Sequence, residues 1–108
     1  MTPRESAREY WRRLREAVPM RGRVRLRLFS AAPKTWADDD AGYCHIGPKV
    51  VTIDVLLDGC ESCVERWIRH EYAHALAGIP RGRSVDPHTD VWGVWLADIY
   101  RAMHGGNA

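Results

Sequence analysis

No apolar run in the 108 residues approaches the ~20 that a membrane-spanning helix needs; the longest, residues 50–57, is interrupted at Thr52 and Asp54. The opening Met1-Thr2-Pro3-Arg4-Glu5 carries charge where a secretory leader would carry apolar residues, so no signal peptide is expected. Cysteine is scarce and odd in number, three in all, which makes no disulfide framework and suits a reducing compartment. A cytoplasmic protein is the expectation. Lysine is scarcer, two against fourteen arginines, and there is no internal repeat. What remains, 45% apolar and 28% charged residues, is the balance of a globular chain. One domain over residues 1–108, a monomer, is expected, long enough to bury roughly 60–70% of its unfolded surface around one core.

The net charge of +2 hides an asymmetry: residues 1–30 hold nine arginines against three glutamates, whereas residues 31–108 hold seven basic and eleven acidic side chains. A basic head on an acidic body suggests contact with a polyanion. Within the head, Pro3 suits a helix start with Thr2 as N-cap, and Ala7, Trp11, Leu14 and Val18 form one apolar stripe. Arg4, Arg8, Arg12 and Arg15 repeat at helical spacing on another face, and Pro19 ends the helix. Arg23, Arg25 and Arg27 then alternate with Val24, Leu26 and Leu28, the pattern of a half-buried strand with a basic outer face. Weak nucleic-acid contact through Arg23, Arg25 and Arg27 is the partner this implies.

Residues 30–42 are loop-like, with Trp36 as an anchor. Asp38, Asp39 and Asp40 are consecutive and cannot converge on one cation, so a solvated turn is expected. A strand over 41–46, a Gly47-Pro48 turn and a β-branched strand over 50–57 follow. A helix over 61–77 should turn Val64, Ile68, Tyr72 and Ala75 to the core and stop at Gly78 and Pro80. A last helix from about Thr89 keeps Trp92, Trp95, Ile99 and Met103 on one stripe. The expected fold is a small α+β domain: N-terminal helix, short antiparallel three-stranded sheet, motif-bearing helix, C-terminal helix.

The motif is His70-Glu71-Tyr72-Ala73-His74, an H-E-x-x-H on the second expected helix. Histidines four apart share a helical face and can reach one zinc ion, and the intervening Glu stands beside that face as a general base. A catalytic zinc takes three protein ligands and keeps an open position. Candidates for the third are His88, Asp86, Asp90, Asp98 and His104. No glutamate follows Glu71, and Ala77 and Pro80 stand where a close-spaced Gly and His would be, which excludes two common ligand patterns. His88 is the preferred candidate, after a loop that can fold back over the first pair, with Asp90 next and Asp86 behind it.

Taken together, His70-Glu71-Tyr72-Ala73-His74-Ala75-Leu76 and His88-Thr89-Asp90-Val91-Trp92 resemble the metal core of SprT-like proteases. In that family an H-E-x-x-H-A segment is followed by a ligand His with an aromatic residue four positions on, as His88 and Trp92 are here; Thr89-Asp90 stands in place of the family's Gly-Pro. The hairpin segment AGYCHIGPKVVTIDVLL and Ile99-Tyr100-Arg101 extend the likeness over roughly residues 23–104. The resemblance implies a zincin-like fold and a zinc-dependent protease, in several members one directed at proteins crosslinked to DNA.

Cys60-x-x-Cys63 precedes His70 by two helical turns and cannot share its metal. With Cys44 and His45 it could build a second, structural metal site, or act as a redox pair at a helix N-terminus; reduced cysteines packed at the helix start are the expected state. The reading is a zinc metallopeptidase with His70, His74 and His88 on the metal and Glu71 as base. The strand over 50–57 would offer its edge to an extended peptide. Tyr43, Arg81 and Arg83 are candidates for oxyanion stabilisation, whereas Tyr72 should point away from the metal. The rival class is a metal-binding protein that docks nucleic acid or a protein partner.

Overall fold

In the computed structural model, which describes residues 1–37, 40–78 and 90–105, the order is α1 (Pro3–Ala17), β1 (Val24–Phe29), β2 (Gly42–Ile46), β3 (Val51–Leu56), α2 (Glu61–Ala77) and α3 (Asp90–Tyr100). A π-helical turn, Arg101–Gly105, continues α3. The architecture is α+β. No helix among the described residues is long and apolar enough to cross a membrane.

Helix α1 begins as its sequence dictates. The Thr2 side chain accepts from Glu5 N at 3.1 Å, and the Glu5 carboxylate accepts from Thr2 N at 3.0 Å, so two donors that a helix start leaves open are satisfied. Ala7, Trp11 and Leu14 of the expected stripe are buried, joined by Tyr10. Helix α2 starts at Cys60, whose sulfur accepts from Cys63 N, and ends at Gly78 with φ 71°, a left-handed conformation that glycine adopts without cost. Its Val64, Ile68, Tyr72 and Ala75 are buried, as the spacing requires. Tyr72 sits edge-on to Trp11 at 5.2 Å between ring centres and donates to Val18 O at 2.5 Å, tying α1 to α2.

The sheet differs from expectation. Its order is β1-β3-β2, with β3 antiparallel to β2 but parallel to β1, so it is mixed and not antiparallel. Strand β2 runs back from β1 and the Gly47-Pro48 turn reverses the chain again. Because β3, not β2, takes the place beside β1, two strands of the same direction become neighbours. Strand β3 suits the centre: Val51, Thr52, Ile53, Asp54 and Val55 are buried in succession, the inner three under the helices and the outer two beneath side chains of the flanking strands.

The alternation sorts the faces. Val24, Leu26 and Leu28 stand level with Val51, Ile53 and Val55, and Cys44 stands level with Ile53, on the face that packs against the helices. The opposite face carries Arg25 beside Thr52 and Arg27 beside Asp54. Arg27 grips Asp54 with two bonds, Nε–Oδ1 at 2.7 Å and Nη2–Oδ2 at 2.8 Å, while His45 Nε2 lies 3.0 Å from Oδ2. Asp54 is thereby only 2% exposed on a face that none of the described helices covers. Trp36 anchors its loop on this outer face, between Phe29 at 5.5 Å and Tyr43 at 4.9 Å, and not in the main core.

The arginines of α1 have a structural task. Strand β1 is an edge, and its outward carbonyls are met by α1: Arg8 Nη1 donates to Leu26 O at 2.9 Å and Arg4 Nη1 to Leu28 O at 3.1 Å. Arg12 instead bridges Glu9 and Glu16 on the exposed side of α1.

Cys60 and Cys63 are joined by a disulfide across the first turn of α2, with Cα atoms 5.1 Å apart. The reduced pair expected from composition is corrected on this point: the N-cap bond from Cys63 N to the Cys60 sulfur draws the two side chains together. Cys44 is a buried free thiol, pushed up to about 12 by burial first and then by the carboxylates of Glu71 and Asp54. A thiol so raised stays protonated and unreactive in mild alkali. Alkylation with iodoacetamide should therefore label no cysteine of the folded chain, one after unfolding without reductant and three after unfolding with it, counted by intact mass. Three labels without reductant would show the bond between Cys60 and Cys63 to be absent.

Candidate metal centre

His70, Glu71 and His74 lie in the second half of α2, where the helix is buried on most of its circumference. Glu71 and His74 are both 0% exposed, and His70 is half-buried. The two imidazole centres are 5.1 Å apart, edge to face. Two imidazoles that share one tetrahedral ion at about 2.0–2.1 Å have their ring centres about 5 Å apart, the separation this pair has.

Glu71 is held from the sheet side. A Cβ placed on Gly42 of β2 would lie 2.9 Å from Asp54 O, 3.0 Å from Glu71 Oε2 and 3.1 Å from Glu71 Cγ. The missing side chain is what admits the carboxylate against the strand. Gly42 carried no signal in the sequence beyond its place at a strand start, and its role was not foreseen.

Helix α3 closes the other side through Trp92. Its ring lies 5.1 Å from that of His70 and 5.6 Å from that of His74, nearly parallel to the latter, and its Nε1 donates to His70 O at 3.3 Å. Trp67 adds a third ring 5.0 Å from His70. The imidazole pair is thus walled by indoles, which limits the rotamers open to it.

His88, Asp86, Arg81 and Arg83 lie outside the described residues. Among the described residues no three His, Cys, Asp or Glu side chains form a metal-holding group. Asp90, the second-choice ligand, is exposed at the first position of α3 and does not complete such a group with His70 and His74. A second site from Cys44, His45, Cys60 and Cys63 does not form: Cys60 and Cys63 bind each other, and Cys44 and His45 leave β2 on opposite faces. Tyr43 shares His45's face, away from Glu71, with its hydroxyl on the Asp40 carboxylate, so it does not serve as an oxyanion donor. Tyr72, directed to Val18, points away from the pair as expected. Strand β3 cannot offer an edge to a peptide, since both of its edges are paired; β2 is the sheet edge beside Gly42 and Glu71.

Comparison of the chain with protein-family models, with curated proteins and with solved structures finds no match.

Gly42→Ala tests the close approach of strand and helix. The added methyl meets backbone on one side and the Glu71 carboxylate on the other, and overpacking of this kind costs about 1–3 kcal/mol. Urea unfolding should show that loss; an unchanged midpoint would mean that β2 moves aside freely.

Proposed function

We propose that the chain is a zinc-dependent peptidase of the zincin type, with His70, His74 and His88 holding the metal and Glu71 as general base. The observation that supports it is the separation of the two α2 imidazoles, 5.1 Å, with the fully buried Glu71 between them in sequence and held against β2. Zinc held there would lower the pKa of a bound water to about 7 and polarise the peptide carbonyl. Glu71 takes a proton from the attacking water and returns it to the leaving amine. The imidazoles keep their orientation through contact with Trp92 and Trp67. Asp90 completes no metal-holding group with His70 and His74 among the described residues, which leaves His88, four residues before Trp92, as the favoured third ligand. An extended peptide aligned along β2 would pass beside Glu71. The resemblance to SprT-like proteases agrees with this reading in the motif and in the spacing from His88 to Trp92.

One zinc per chain is the expected stoichiometry. His70→Ala and His74→Ala should abolish binding, His88→Ala should weaken it strongly, and Asp90→Ala should leave it intact, all read by metal analysis after dialysis. Glu71→Gln should retain zinc yet lower hydrolysis of an unfolded protein by roughly 10²–10⁴. Equal activity of parent and Glu71→Gln would sink the peptidase reading in favour of a metal-binding docking protein.

A second reading concerns nucleic acid. The outer sheet face is uncovered by the described helices and carries Arg25 and Arg27, the latter with 48% of its side chain exposed. Such a face can lie on a phosphate backbone and bring a protease to DNA-associated proteins. The charge available is smaller than the sequence suggests, because Arg27 is neutralised by Asp54. In a salt series on duplex DNA each engaged arginine contributes about 0.9 to the slope of log affinity against log salt. Changing Arg23, Arg25 and Arg27 together to Ser should flatten that slope; a slope left untouched would remove this face from the mechanism.

A further inference from the structure

Beside the imidazole pair, a cavity of about 290 Å³ opens between α2 and α3, lined by Arg66, Arg69, His70, Leu96 and Tyr100. Arg66, Arg69 and His70 come together because positions three and four apart share a helical face. Two walls are cationic, one is the flank of a metal-motif imidazole, and no acidic residue lines the space among the described residues.

Arg69 is fixed in place. Its Nη1 lies 2.9 Å from Tyr10 OH and 3.2 Å from His104 Nε2, and its guanidinium carbon stands 5.9 Å from the Tyr10 ring centre and 5.5 Å from that of Tyr100. Two rings thus hold the guanidinium plane, and both hydrogen bonds use the same nitrogen. Nε and Nη2 remain, the edge of arginine that pairs with a carboxylate through two parallel bonds. Arg66, one turn before His70, is exposed and has no hydrogen bond or ion pair among the described residues. A rigid guanidinium and a second, adjustable one face the same space, with Leu96 and the Tyr100 ring to receive methylene groups.

We propose that this cavity is a carboxylate-binding subsite: it holds an acidic side chain or the C-terminal carboxylate of a peptide lying at the His70–His74 centre, and so decides which peptides are held there. The proposal rests on the peptidase reading of that centre. One helical turn, ~5.4 Å, separates Arg66 from His70, and one or two residues of extended chain, at about 3.3–3.6 Å each, cover that distance. Arg69 sets the geometry of the carboxylate, and Arg66 supplies the second charge.

The test uses zinc-loaded Glu71→Gln protein, which holds peptides without cleaving them, and three N-acetylated tetrapeptides that differ only at their last residue. That residue is Glu with an amide end, Gln with an amide end, or Gln with a free carboxylate. Calorimetry should show one or both carboxylate-bearing peptides bound at least about tenfold tighter than the neutral one. The tighter of the two identifies a side-chain or a terminal carboxylate as the ligand. The side-chain NH signals of Arg69 should shift with that peptide and not with the neutral one. Arg66→Gln, at an exposed position that leaves the core intact, should remove most of the preference, and Arg66→Glu should reverse it toward a peptide ending in Lys. Equal binding of all three peptides, no binding of any, or a preference that survives Arg66→Gln unchanged would overturn the subsite. Carboxylate binding without any hydrolysis by the parent protein would leave the subsite standing and sink the peptidase reading. Hydrolysis indifferent to the carboxylate would do the reverse.

Discussion

Strand β2 and helix α2 approach one another at a point where the Glu71 carboxylate lies where a side chain on β2 would otherwise stand. Gly42 gives that room, and Glu71 fills it. A larger residue at 42 would push the helix from the sheet or the carboxylate from its seat, and either shift would carry the two imidazoles with it. The helix–sheet distance, the burial of Glu71 and the orientation of His70 and His74 are therefore one constraint expressed at three places. Trp92 completes it from the other side, so the two histidines are clamped between the sheet and α3.

The charged residues divide between fold and function in a way that composition conceals. Arg4 and Arg8 lie among the residues that make the head of the chain basic, yet both donate to carbonyls of β1 and close one edge of the sheet. Arg27 belongs with Asp54, whose near-complete burial on an uncovered face depends on that pair and on His45. Arg66 and Arg69 sit in the acidic part of the chain, where net charge drew no attention to them, and they alone among these line a cavity beside the histidines. The sheet is left with unequal edges: β1 is capped by side chains, and β2 borders Glu71.

Much of this was legible in the residues. The stripes of α1 and α2, the Thr2 cap, the Gly78 stop and the alternation of β1 are local signals, and local geometry answers them. The pairing of His70 with His74 followed from helical spacing alone. Strand order did not, because it depends on which strand is flanked by neighbours on both edges, a property of distant partners; the unbroken burial of Val51 through Val55 was the available clue, and Asp54 within it masked the pattern. Gly42 was illegible for the same reason, since its need arises from Glu71, 29 positions away in a different element. The disulfide contradicted an argument from composition, which speaks of compartments, while the N-cap geometry of Cys60 and Cys63 is a matter of one helical turn.

The capped edge of β1 also bears on the order in which the chain assembles. The β2–β3 hairpin closes across a tight turn, whereas β1 must find β3 from 27 residues away, as the bond from Arg27 to Asp54 records. Closing the longer loop costs more entropy, so the hairpin is expected to form first and leave one edge of β3 with unpaired backbone groups, the form in which partly folded sheets adhere to one another. Only six residues separate α1 from β1, and so the helix that carries Arg4 and Arg8 arrives with the strand it protects. The docking that uses up the open edge of β3 brings the cover for the new edge of β1 in the same movement, and leaves β2 as the edge without such a cover among the described residues.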